Sequence, residues 1–156
     1  GKEFKTKVAQ GQINDEQQIL QTAKANNVTV SPDQLAVYLK RIKNGEEPAA
    51  ILSEIRKVGS IGYPDSVKKM MNSGVNLDTI YSPYKQRMSA VLEISPDSIK
   101  LNDPTLQKAI GPDKEMTLYD FNKLLKQDAR WQYTNNAHDE IASITSKVLK
   151  DFGFQG

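Results

Sequence analysis

The chain has 156 residues, 38% of them hydrophobic and 26% charged, with no apolar run near the roughly 20 residues of a membrane span; this excludes general disorder and an integral membrane protein. The absence of cysteine excludes disulfides, thiolate zinc sites, iron–sulfur clusters and cysteine nucleophiles, and the single histidine leaves no two-His metal spacing. Lys and Arg outnumber Asp and Glu by 11 to 8 over residues 1–75 and trail them by 10 to 11 over 76–156, so the net +2 divides as +3 and −1 and neither half is a strongly basic module.

Residues 1–12 alternate charge with Gly and Gln and are expected to form a flexible arm, with residues 13–156 a single domain. Ile13, Ile19, Leu20 and Ala23 predict a first helix over 13–27. Ser31-Pro32-Asp33-Gln34 then places a hydroxyl at an N-cap, proline at the first helical position and Gln three residues after the cap. Leu35, Tyr38, Leu39 and Ile42 follow at helical spacing, and Asn44-Gly45 supplies the stop. Pro48 opens a helix striped by Ile51, Leu52, Ile55 and Val58. Tyr63-Pro64 opens another carrying Val67, Met70 and Met71.

The same grammar continues through Ser82-Pro83, Ser95-Pro96 and Asp103-Pro104, the last expected to run through Leu106 and Ile110 to Gly111. Thr117 precedes Leu118, Phe121, Leu124 and Leu125. Thr134 starts the final helix, whose Ala137, Ile141, Ile144, Val148, Leu149 and Phe152 keep helical spacing to Gly153. Only residues 27–30 read as β-branched in a row, too short to anchor a sheet. The expected fold is all-α, a compact bundle of six to eight short helices without a sheet.

Residues 128–140, DARWQYTNNAHDE, gather the chain's only Trp and only His between a helix ending near Gln127 and a cap at Thr134. Trp131 suits the seam between two helices, and Arg130 and Asp128 can bond the free groups at their ends. Arg130, Trp131 and Thr134, with Phe121 and Phe152 on the flanking stripes, are therefore expected to be structural anchors rather than a reaction centre. No catalytic residue, metal site or cofactor is expected: no Gly-x-Ser-x-Gly surrounds a serine, and nothing sets Glu93, Glu115 and Glu140 at an acid–base spacing.

The stretch SGVNLDTIYSPYKQRMSAVL, residues 73–92, has the cadence of a helix-turn-helix. Lys85, Gln86 and Arg87 on its second helix are the candidate nucleic-acid contacts, although no basic stripe surrounds them. Tyr63, Tyr81 and Tyr84 cluster near the middle of the chain and are a candidate protein interface.

Over residues 63–156 the order YPDSVKKMMNSGVNLDTIYSPY, LNDPTLQKAI, MTLYDFNKLLKQDARWQYTNNAHDE and VLKDFGFQG resembles the terminal helical domains of tailed-bacteriophage tail tape-measure or internal virion proteins. The resemblance rests on Tyr119-Asp120-Phe121, Arg130-Trp131 with Thr134 and Ala137, and Phe152-Gly153. It implies a non-enzymatic assembly module located in the virion, docking on other virion proteins or on itself. Tape-measure proteins are mostly long continuous helices, whereas proline punctuates this chain, so the resemblance implies a terminal plug or docking domain. Nucleic-acid binding through Lys85, Gln86 and Arg87 is the alternative expectation.

Overall fold

The computed structural model describes residues 2–153, with the backbone alone for 2–9; Gly1 and residues 154–156, the outer ends of the expected arm and of the resembling stretch, lie outside the described residues. Eight α-helices follow in order: α1 (Lys2–Ala25), α2 (Pro32–Lys43), α3 (Pro48–Gly59), α4 (Asp65–Asn72), α5 (Leu77–Leu92), α6 (Pro104–Gln107), α7 (Leu118–Leu125) and α8 (Asn135–Asp151). Short 3₁₀ turns at Pro96–Ser98 and Ala129–Tyr133 precede α6 and α8. No strand occurs among the described residues, and the fold class is all-α.

Local side-chain capping accounts for the starts of α2, α6, α7 and α8. The hydroxyls of Ser31, Thr117 and Thr134 accept from the backbone N–H three residues on, and the Asp103 carboxylate accepts from Thr105 and Leu106. Pro32, Pro48, Pro96 and Pro104 all occupy opening positions where a missing N–H costs no helical bond. Helix ends follow the left-handed stop: Gly45 and Gly74 have φ of 104° and 103°, and the next residue's N–H returns to the carbonyl five positions back. Asn27 does the same for α1 at φ 55°.

Three expectations are corrected. Helix α1 begins at Lys2, eleven residues before the start expected at Ile13; Gly11 sits in it with open space around its Cα, and the flanking Gln and Lys are good helix formers. Helix α6 stops at Gln107 rather than running to Gly111. Helix α5 starts at Leu77, six residues before Pro83, which lies inside it. The donor that proline lacks would have served the Thr79 carbonyl, and both residues are exposed, so water can satisfy that carbonyl.

Contacts group the chain into two compact units, residues 1–81 with 110–114, and residues 82–109 with 115–156. In the first, Ile19 and Ala23 of α1, Tyr38 of α2 and Ile51 and Ile55 of α3 form a closed core, each large apolar side chain contributing roughly 1.5–3 kcal/mol. Asn26, fully buried, ties this unit together: its amide donates to the Thr22 carbonyl (2.8 Å) and to Asn76 Oδ1 (3.0 Å), and its own Oδ1 accepts from the Leu77 N–H (2.9 Å). That last bond caps α5 from 51 positions away. Arg56 Nε reaches the same Asn76 oxygen at 2.9 Å. A Cβ on Gly59 would stand 2.7 Å from the Asn26 carbonyl, so only glycine lets α3 approach this junction.

In the second unit, the fully or nearly fully buried side chains include Tyr84, Met88, Leu106, Phe121, Leu125 and Ala137. Tyr84 and Phe121 meet edge to face with centroids 5.2 Å apart, and the Tyr84 hydroxyl donates to the Met116 carbonyl. Burial, with the nearby Glu115 charge second, pushes the Tyr84 phenol above its ordinary pKa and keeps it a neutral donor.

Candidate functional site

The segment that drew attention in the sequence folds as a polar corner. Asp128 starts the second 3₁₀ turn by accepting from the Arg130 N–H at 2.8 Å, and grips the same residue's guanidinium at 2.9 and 2.8 Å. Asp103, while capping α6, takes two further guanidinium bonds at 2.9 and 3.3 Å. Thr105 donates its hydroxyl to Asp128 at 2.6 Å. Arg130 thus pins the start of α6 to the turn before α8. The guanidinium bond, with Thr105 and the backbone N–H adding to it against desolvation, holds Asp128 well below the usual carboxylate range. Arg130 is correspondingly raised, first by Asp128 and then by Asp103.

Thr134 is buried; its hydroxyl accepts from Ala137 N–H and donates to the Trp131 carbonyl. Phe121 is fully buried, whereas Phe152 is 76% exposed and does not serve as the anchor expected of it, because α8 has left the rest of its unit by that point. Trp131 is half-buried rather than enclosed. Its ring lines an open groove of about 460 Å³ together with Arg87 of α5, Asn122 and Lys126 of α7, and Asn136 and Glu140 of α8. Lys126 Nζ lies 5.6 Å from the indole centroid and pairs with both Glu140 oxygens at 3.2 and 3.3 Å.

The other sequence candidates are redistributed. Tyr81 and Tyr84 are buried and unavailable as an interface; Tyr63, half-buried, bonds the Tyr81 hydroxyl at 3.0 Å. Lys85, Gln86 and Arg87 lie in the interior of one continuous helix, with no turn at Ser82 to begin the separate helix expected there. Gln86 and Arg87 are exposed and Lys85 half-buried. Glu93 sits in the left-handed region at φ 55°, ending α5, and its carboxylate accepts from the Asn136 N–H in the first turn of α8. A negative charge there is favoured by the helix dipole, a structural use for a carboxylate considered above as a catalytic group.

The largest departure lies in α8. Its Ala137 is fully buried, yet Ile141, Ile144, Val148 and Leu149 on the following turns are 55, 58, 45 and 41% exposed. Among residues 141–151 only Ser146 is even half-buried. The stripe read from the sequence exists, but its far end covers nothing among the described residues. Sequence reasoning also missed Asn26, Asn76 and Arg56, whose partners are 20 to 51 positions away, and Asn122, whose Oδ1 is buried without a hydrogen-bond partner among the described residues.

No family model, curated protein or solved structure matches the chain.

Proposed function

We propose that the chain is a non-enzymatic docking module that joins other proteins through the far half of α8, and that those partners are components of a bacteriophage virion. The observation that carries the docking reading is the bare stripe Ile141, Ile144, Val148 with Leu149 and Phe152. Its exposed apolar surface is on the order of 500 Å², comparable with the patches that mark interaction sites. An eleven-residue helical extension without tertiary cover is marginal in water, so a covering partner would stabilise the helix as well as bury the stripe. Glu140, Lys147 and Lys150 flank the apolar face, which suits an amphipathic partner helix carrying both signs of charge at its margins. The virion assignment rests on the sequence resemblance. The non-enzymatic part is supported by the engagement of Glu140 with Lys126, and of Glu93 with the start of α8.

The reading is tested by titrating the chain against individually purified tail and capsid proteins. Wild type is expected to bind at least one with a Kd in the micromolar range, and the double change Ile141→Ser with Ile144→Ser to weaken that binding by about 100-fold. Sedimentation of the chain alone distinguishes a second copy as the occupant. Absence of binding by wild type, or unchanged binding by the variant, would contradict the proposal.

A further inference from the structure

We propose that in the free protein the bare stripe of α8 is covered by the same stripe of a second copy of this chain, the two helices running antiparallel about a two-fold axis. The inference rests on the docking reading above, since it names an occupant for the same surface, which a docking partner then displaces. Ile141, Ile144 and Val148 follow one another at intervals of three and four residues, the a–d–a spacing of a coiled-coil seam. Ala137 holds the preceding d position and is fully buried in its own unit, so the open seam begins where that cover stops. Past Glu140 every residue to Asp151 except Ser146 is exposed, which leaves room for a second helix alongside.

Charge sets the occupant and its direction. Glu140 and Lys147 each sit one residue before an apolar a position, on the same edge of the seam and two turns apart. In an antiparallel pair this edge meets the same edge of its counterpart, so Glu140 faces Lys147 of the second copy and Lys147 faces its Glu140, with Ile141 across from Ile144. A parallel pair would set Lys147 against Lys147 and Glu140 against Glu140. It would also crowd both folded units at one end, because the buried part of α8 is its start. Glu140 already bonds Lys126, yet its side chain is 42% exposed and a carboxylate accepts from more than one donor. Full cover of the stripe by its counterpart removes on the order of 1,000 Å² in total from water, at the lower bound for a specific interface, so the pair forms in the micromolar range rather than as an obligate dimer. A self-complementary surface of this kind closes at two copies.

Sedimentation equilibrium of the whole chain over about 1–300 μM is expected to show a monomer–dimer equilibrium with a Kd on the order of 30 μM. Lys147→Glu, at an exposed position, is expected to weaken it about tenfold, and the exchange Glu140→Lys with Lys147→Glu to restore it, because each new Lys then faces a new Glu. Ile144→Ser, also exposed, is expected to weaken it by at least ~30-fold. Direction is read independently: the chain has no cysteine, so Asp151→Cys carries a single spin label, and an antiparallel pair holds the two labels roughly 25 Å apart against ~10 Å in a parallel one. A chain that stays monomeric at about 300 μM, a dimer unaffected by Lys147→Glu or by Ile144→Ser, or labels at the parallel distance would overturn the proposal. A monomer that still binds a virion protein through the stripe would overturn only the second copy as occupant. A dimer with these properties and no virion partner would uphold it while the docking reading fails, so the two failures are distinguishable.

Discussion

The corner around Arg130 and the far half of α8 lie within one stretch of about 25 residues, yet they finish their interactions in opposite ways. At the corner, two carboxylates, a guanidinium and two threonine hydroxyls bind one another and the free N–H groups of the helix starts. Along α8 past Glu140, an equally regular apolar pattern meets solvent. Periodicity identifies which face of a helix is apolar; only the rest of the fold decides whether anything covers it. A region that is satisfied internally specifies the fold, and one that is not is where a partner can contribute.

Matched substitutions sharpen the contrast. Phe121→Ala removes a fully buried ring in edge-to-face contact with Tyr84 and is expected to destabilise by about 3–5 kcal/mol in urea unfolding. Arg130→Ala leaves Asp103 and Asp128 facing each other without their shared cation. Discounted for the 40% exposure of the Arg130 side chain, the loss is expected to be about 1–2 kcal/mol by the same measurement. Thr134→Ala deletes a buried cap and is expected to cost about 1 kcal/mol. By contrast, Ile144→Ala on the bare stripe is expected to change stability by less than about 0.5 kcal/mol, although it deletes as much hydrocarbon as many core substitutions. An equal loss at Ile144 and Phe121 would abolish the distinction between the two regions.

Acid unfolding gives a smaller effect with a defined sign. The folded-state pKa of Asp128 is depressed, so its contribution is fully present above the ordinary carboxylate value of about 3.9 and fades as pH falls below that toward the lower folded value. The unfolding midpoint is therefore expected to drop between about pH 4 and pH 2, and to drop less in Asp128→Asn. Identical acid profiles for the two proteins would show that the Arg130 grip on Asp128 adds no pH-dependent stability.

What the sequence revealed divides along the range of each interaction. The caps at Ser31, Asp103, Thr117 and Thr134 were legible because donor and acceptor lie within three residues of each other. The start of α5 was not, because its first N–H is met by Asn26 from the end of α1, leaving Ser82-Pro83 looking like a start when it is an interior. Helix α1 extends to Lys2 on residues with good intrinsic helicity but little apolar patterning, which a reading based on periodicity passes over. Trp131 and Arg130 stood out by residue type. Their surroundings did not: Asn122 and Arg87 are brought to the same groove from α7 and α5. Phe152 carried the right spacing for packing and the wrong surroundings.

The exposed half of α8 is tested most directly by hydrogen exchange, resolved to individual amides, on the dilute chain. Amides of residues 142–151 are expected to exchange through local opening with little protection, while those of α7 and the turn after Thr134 exchange only on global unfolding. Addition of a binding virion component is then expected to bring protection to 142–151 and leave α7 unchanged. Protection of 142–151 equal to that of α7 in the isolated chain would mean that the stripe is already covered, and would contradict α8 as the docking surface.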